Sequence, residues 1–198
     1  IRTPNGGQYQ VVLHDGTKVW LNAMSGIRFP TRFTDSREVS VTGEAFFEIS
    51  PDRSKPFRVN VGNMTIDVLG TSFNVNAYED EDGIKTTLLE GKVKVRTSQD
   101  LQVLLPGQQS VFRPADKSIT IEKANIEQAT AWKNGFFYFN NADLKTVMRQ
   151  LARWYNVAVV YEGDLPARMF KGEIGRDLQL SDVLEILNEM GISIKLKQ

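Results

Sequence analysis

Cysteine is missing from the 198 residues, which excludes disulfides, thiolate zinc sites, iron–sulfur clusters and thiol nucleophiles together. A chain without thiols also suits an oxidising compartment, because it cannot mispair there. Histidine is nearly missing as well. His14 stands alone, so clustered imidazole ligands are excluded and His-based chemistry has one candidate. Net charge is absent: Lys plus Arg number 24 and Asp plus Glu number 24. Without an excess of positive charge there is no electrostatic footprint for phosphates, and no nucleic-acid partner is expected. No apolar run approaches the roughly 20 residues needed to cross a bilayer; the longest are 136–139 and 157–161. The first residue is Ile1 rather than Met, which reads as a fragment or processed chain with any signal or anchor upstream.

What is present is a foldable chain. Hydrophobic residues make up 41%, enough for a real core, and the length suits one large or two small domains. Up to about residue 121, period-two alternation predicts short strands at 9–13, 18–21, 38–41, 45–49, 57–61, 65–69, 73–78, 84–89, 92–96, 101–105, 110–113 and 118–121. Gly, Pro, Asn or Asp punctuates most of the joints, as tight turns require. Barrel, sandwich and irregular solenoid all answer to this pattern, and no fixed repeat of 20 to 30 residues separates them.

The second half has another period. A polar, punctuated stretch at 114–134 reads as a link, followed by an alternating aromatic strand at 136–139. Leu144, Val147, Met148, Leu151, Trp154 and Tyr155 then fall in steps that make one helix face, with Asn140 or Asn141 as N-cap and Asp143 in the first turn. A second face follows at Leu180, Val183, Leu184, Leu187 and Met190, with Gly191 to stop it. A shift of 36 residues lays one helix on the other, Leu144 onto Leu180 and Leu151 onto Leu187. Strands expected at 157–161, 169–174 and 192–196 complete a β-α-β unit twice over, a small split sandwich with both helices on one face of the sheet.

Features that suggest chemistry have plainer explanations. Asp15-Gly16 between two strands marks a hairpin turn rather than a site for His14. The acidic run Glu79-Asp80-Glu81-Asp82-Gly83 places Tyr78 and Leu89 where a calcium loop needs its first ligand and its bidentate acid, so it reads as a solvated hairpin tip. Glu44 and Glu48 share a strand face, but at ~3.4 Å per residue they stand roughly 13 Å apart, outside the glycosidase windows. Arg153-Trp154-Tyr155 closes the first helix over the following strand, or meets a partner there. The strand 136–139 offers an edge for another chain if it lies at the side of its sheet. With no phosphate loop, nucleophile elbow or metal cluster, no enzyme, no cofactor and no metal are expected.

The residues then carry a resemblance. Asp15-Gly16-Thr17, Val19-Trp20-Leu21-Asn22-Ala23, Arg37-Glu38-Val39 and Gly43-Glu44-Ala45-Phe46-Phe47-Glu48-Ile49 resemble the periplasmic domain of FecR-type anti-sigma factors. So do Lys55-Pro56-Phe57, Val68-Leu69-Gly70-Thr71, Phe73-Asn74-Val75, Leu89-Glu90-Gly91 and Leu105-Pro106-Gly107-Gln108. Trp132-Lys133, Gly135, Phe137, Phe139 and Arg153-Trp154-Tyr155 resemble the small domain that follows it, which is similar to the short N-terminal domain of secretins and TonB-dependent receptors.

This resemblance implies a mainly β plus α+β chain. Residues 1–125 would form a many-stranded, solenoid-like β domain, and 131–198 the small β-α-β/β-α-β split sandwich. It also implies the periplasmic receiving region of a membrane-anchored anti-sigma factor. The expected partner is the signalling domain of an outer-membrane TonB-dependent transporter. A sigma factor would be reached only through a cytoplasmic segment beyond this chain, and the membrane only through an upstream helix. A monomer is expected, with partner contacts at Phe136, Tyr138, Arg153, Trp154, Tyr155, Met169 and Lys171. A rival reading is a periplasmic carbohydrate-binding module using exposed aromatics such as Trp20 as a stacking platform. Another is a structural subunit of a secretin-like assembly, which leaves the first half unexplained.

Overall fold

The computed structural model describes residues 1–192 and 194. Twelve strands build one large mixed sheet: β1 (Tyr9–Val12), β2 (Lys18–Leu21), β3 (Gly26–Arg28), β4 (Arg37–Glu48), β5 (Phe57–Val61), β6 (Met64–Val68), β7 (Ser72–Ala77), β8 (Ile84–Glu90), β9 (Val93–Arg96), β10 (Leu101–Leu104), β11 (Gln108–Arg113) and β12 (Ser118–Lys123). The alternating pattern located all of these but β3, whose three residues are too few to show a period.

The two runs expected at 38–41 and 45–49 are one strand. β4 is 12 residues long and bends at Gly43, whose φ is +74°. A Cβ there would meet the Met24 carbonyl oxygen and the Ser25 Cα at 2.8 Å, so glycine is required twice over. Before the bend β4 pairs with β3 and β5; beyond it, with β2 and β7. The longest path of pairing runs β10-β9-β6-β5-β4-β7-β8-β11-β12, with β1 and β2 attached beside the second half of β4. Of the described strand pairs in this sheet, β4 with β5 is parallel and the rest are antiparallel. Such pairing, folded about a shared strand, does not bear out solenoid-like stacking.

The sheet closes on an apolar cluster in which Phe47 stacks on Phe73 at 5.0 Å between ring centroids, and Phe57, Met64, Ile66 and Leu88 are almost fully buried. Burial of this kind supplies most of the driving force, at about 25 cal/mol per Å² of apolar surface. One cation lies at its margin. Arg37 donates to Asp15 at 3.1 Å and to the Ser50 and Lys55 carbonyls at 2.7 and 2.8 Å, which ties the Asp15-Gly16 hairpin turn to the start of β4.

The stretch read as a link is folded. It contains the β11–β12 turn, helix α1 (Ile126–Thr130) capped by Asn125, and a 3-10 turn at Ala131–Asn134. The remaining elements are β13 (Phe136–Ala142), α2 (Leu144–Tyr155), β14 (Phe170–Gly175) and α3 (Leu180–Glu189). Both helices stand where the apolar spacing put them. Leu144, Val147, Met148 and Leu151 of α2 and Val183, Leu184 and Leu187 of α3 pack with Phe137 and Phe139 in a second cluster.

Three details differ from expectation. The N-cap of α2 is Asp143, accepting from the Thr146 N–H at 2.7 Å, because Asn140 and Asn141 still belong to β13. Residues 157–161 form no strand: Val160 is 79% exposed, so the alternation there is not that of a buried face. The strand expected at 192–196 lies largely outside the described residues. The described part of the second half therefore holds a two-stranded sheet, β13 against β14, with α2 and α3, and does not bear out a full split sandwich.

Candidate functional site: the junction between the two halves

Where the second half meets the large sheet, the contact is polar and buried. β4 and β7 present Glu44 and Asn74 on the sheet's outer face, in a strand region where charged and amide residues are ordinarily scarce. Asn22, just after β2, donates its side-chain N–H to Glu44 Oε2 at 2.7 Å; Asn74 donates to Oε1 at 3.0 Å. Each amide offers its oxygen to the opposite half, Asn22 while also accepting from the Ala23 N–H at 2.9 Å. Asn22 Oδ1 accepts from Arg176 Nη1 at 2.8 Å, and Asn74 Oδ1 accepts from Trp132 Nε1 at 3.1 Å. A cation from the loop after β14 thus reaches a buried carboxylate through an amide that is donor and acceptor at once.

Arg176 is set for this role by its surroundings. Its guanidinium lies 4.7 Å from the Phe137 ring centre and 4.9 Å from that of Trp154, and its Nε donates to the Phe136 carbonyl at 3.2 Å. Trp154 returns a bond from Nε1 to the Arg176 carbonyl at 2.9 Å. Burial pushes the Glu44 carboxyl above its ordinary range, against the pull of the Asn74 and Asn22 donors and of Arg176 and Arg153. Burial also draws Arg176 down to about 10, with Glu44 resisting, so it is still a cation at neutral pH. Tyr78, which donates to the Ala23 carbonyl at 2.6 Å, is pushed upward by burial and by Glu44.

A second set of charges lies beside the first. Arg153 holds both carboxylate oxygens of Asp80 at 2.8 and 2.9 Å and Glu81 Oε1 at 2.6 Å, and its guanidinium lies 4.1 Å from the Tyr78 ring centre. Arg149 reaches Glu81 Oε2 at 2.8 Å. Burial pushes the Glu81 carboxyl up, but Arg149 and Arg153 outweigh it and hold it below the usual carboxylate range. The acidic run is an exposed hairpin tip at Glu79, Asp80 and Asp82, but one that also carries ion pairs to the second half. Asp80 and Glu81 are the large sheet's counter-charges to helix α2. The N-terminal segment adds a strap: the Gly6 N–H donates to the Arg153 carbonyl at 3.0 Å, Gln8 donates to the Trp132 carbonyl at 2.7 Å, and Asn5 bonds Asn156.

The seven residues expected to meet a partner separate into two groups. Arg153 and Trp154 belong to the junction just described, and the Tyr155 hydroxyl donates to the Leu178 carbonyl at 2.8 Å. Phe136, Tyr138 and Lys171 sit on the face of the two-stranded sheet turned away from its helices, where Phe136 and Tyr138 border a gap toward the large sheet, with Met169 just before β14; Phe136, Met169 and Lys171 are exposed and Tyr138 is half-buried. Trp20 is not the open platform of the carbohydrate reading, since Lys133 Nζ stands 4.2 Å over its ring and Phe46 meets it edge-on.

Asn22, Glu44, Asn74, Trp132 and Arg176 escaped sequence reasoning. The signal available was a carboxylate and two amides inside otherwise apolar strand runs, which ask for partners that periodicity cannot name.

Comparison with known proteins agrees along the length of the chain. Residues 1–94 match the family described as FecR protein, and residues 136–198 that described as FecR, C-terminal. Two crystal structures of a candidate anti-sigma factor from Parabacteroides distasonis superpose with TM-scores of 0.90 and 0.89, at 34% and 32% identity. Each alignment covers 100% of this chain and 94% of the other. No curated protein matches the chain. With both family regions present in order and the fold shared from end to end, the chain belongs to the FecR family.

Proposed function

We propose that this chain is the periplasmic receiving region of a membrane-anchored anti-sigma factor. It takes a signal from the signalling domain of an outer-membrane TonB-dependent transporter and passes it toward a sigma factor by protein–protein contact. Family membership and the anti-sigma character of the structural relatives support a regulatory role. No described helix is long and apolar enough to cross a membrane; in this reading the anchor is an upstream helix.

One observation carries the relay: the second half is seated on the first by directional ion and amide contacts, the Glu44–Asn22–Arg176 and Glu81–Arg153 ones largely buried. Such contacts hold one orientation and fail sharply when a partner is removed, which suits passing on a binding event. The receiving surface in this reading is the second half, centred on Met169, Lys171, Phe136 and Tyr138, with residues 1–125 standing between it and the anchor. Strand addition at an edge of the β13–β14 sheet is the contact mode.

The test is a calorimetric titration of the cognate transporter's signalling domain into the whole chain. Met169→Asp and Lys171→Glu should each weaken binding about tenfold or more, near 1.4 kcal/mol. Unchanged affinity in both would place the receiving surface elsewhere.

A further inference from the structure

Between the outer face of the large sheet and the second half runs a groove of about 460 Å³, inside the roughly 300–1,000 Å³ typical of small-molecule sites. One end is the Asn22–Glu44–Asn74 cluster, whose hydrogen bonds are spent on the junction. Part of the remaining lining differs in kind, whereas Thr87, Gln109 and Glu122 bond one another. Asn76, Tyr138, Asn140 and Gln150 line it, and their side chains make no hydrogen bond to any described residue. Asn76 Oδ1 is buried and unpartnered, although a buried amide oxygen ordinarily has a donor. Asn76 sits on the same face as Glu44, its cross-strand neighbour, so its amide belongs to the groove side of the sheet and not to the apolar cluster within.

The chemistry of these groups specifies a ligand. Amides both donate and accept, as vicinal hydroxyls require, and Tyr138 with Phe136 supplies ring surface on the opposite wall. The charges nearby are matched, Glu44 against Arg176 and Glu81 against Arg153, while Lys85, Lys123 and Glu122 add both signs, so nothing selects an ion. The lining strands β4, β7, β8 and β11 are each paired on both sides, so that wall offers side chains rather than a row of free backbone groups, and the terminal strand β12 contributes only Glu122 and Lys123. We infer that this groove binds a neutral polyhydroxylated ligand, a short oligosaccharide segment held by side-chain amides and the Tyr138 ring. The site is distinct from Trp20; it shares Phe136 and Tyr138 with the receiving surface proposed above, and its test uses no transporter domain.

Trp132 and Trp154 both line the groove, so occupancy is readable as a change in their fluorescence. The probes are maltotriose, cellotriose and chitotriose, with trigalacturonate and a neutral Ser/Gly decapeptide as controls, each titrated into the whole chain to ~10 mM. A saturable response to a neutral trisaccharide is expected, weakened about tenfold or more by both Asn76→Ala and Tyr138→Ala. These two side chains hold nothing else in place, so both variants should keep the parent's melting temperature; if one does not, Gln150→Ala takes its place. Saturation untouched by the substitutions would overturn the site. A response to the charged sugar or the peptide alone would overturn the ligand class, and no response to any neutral probe would overturn the proposal.

Discussion

The interior of the large sheet and the junction with the second half are both buried, yet they are built from opposite materials. Inside the sheet, Phe47, Phe57, Phe73 and their aliphatic neighbours gain from any close-packed arrangement, because apolar burial has no direction. At the junction, Glu44, Arg176 and Arg153 gain only when particular atoms face one another. The first material sets how stable the protein is. The second sets how its two parts stand to each other, and it answers to pH and salt where the first does not.

The contrast can be broken from the apolar side. Phe47→Ala removes a ring stacked on Phe73 in a closed core, and should cost about 3–5 kcal/mol in denaturant unfolding with little change between low and high salt. The polar side comes next. Arg176→Met removes the cation that reaches the buried Glu44 carboxylate through Asn22 and should cost about 1–3 kcal/mol, the range for losing a buried hydrogen-bond partner. Glu44→Gln under Arg176→Met should recover part of that loss, which a double-mutant cycle would measure; additive losses would mean that the two groups do not communicate.

Acidity sharpens the comparison, because the two carboxylates respond in opposite senses. The Glu81 carboxyl is lowered in the folded chain, so its contribution is present above the ordinary glutamate value and lost as pH falls through the folded one. Glu44 is raised, so its contribution is present below the ordinary value and lost as pH climbs through the folded one. Glu81→Gln should therefore be less stable than the parent at neutral pH, with the gap closing in acid. Glu44→Gln should lose stability less steeply than the parent as pH rises from the ordinary glutamate value. Parallel stability curves for parent and variants would remove both residues from the account. The smallest effect belongs to Asp80, whose side chain is 53% exposed in its bridge to Arg153. Asp80→Asn should change stability by less than about 1 kcal/mol, and less still at high salt, as read from melting temperatures.

Sequence legibility followed the same division. Alternation found eleven strands, with β4 read as two, and helical spacing found α2 and α3, since each pattern records which face meets apolar surroundings. The bend at Gly43 was read as a break between two strands, because the pattern changes there: up to Thr42 buried and outward residues alternate, whereas Gly43 to Phe47 are all buried. Asp143 was placed in the first turn instead of at the cap because Asn140 and Asn141 are equally good cap residues, and only the extent of β13 decides between them. The junction could not be read at all. Arg153 and Asp80 stand 73 positions apart, and a buried cation looks like a solvated one until its partner is known. The Asn residues within β7 were the nearest thing to a clue.

The strand β4 belongs to both ends of the large sheet at once, and this governs how the molecule comes apart. Neither end can open without tearing pairs from the shared strand, so the twelve strands should lose their amide protection in a single cooperative step, with β4 among the slowest positions to exchange with deuterium. Among the described residues the α2–α3 half shares no strand with them, and it should exchange at lower cost. A molecule made this way can loosen its small half repeatedly while the large one stays closed.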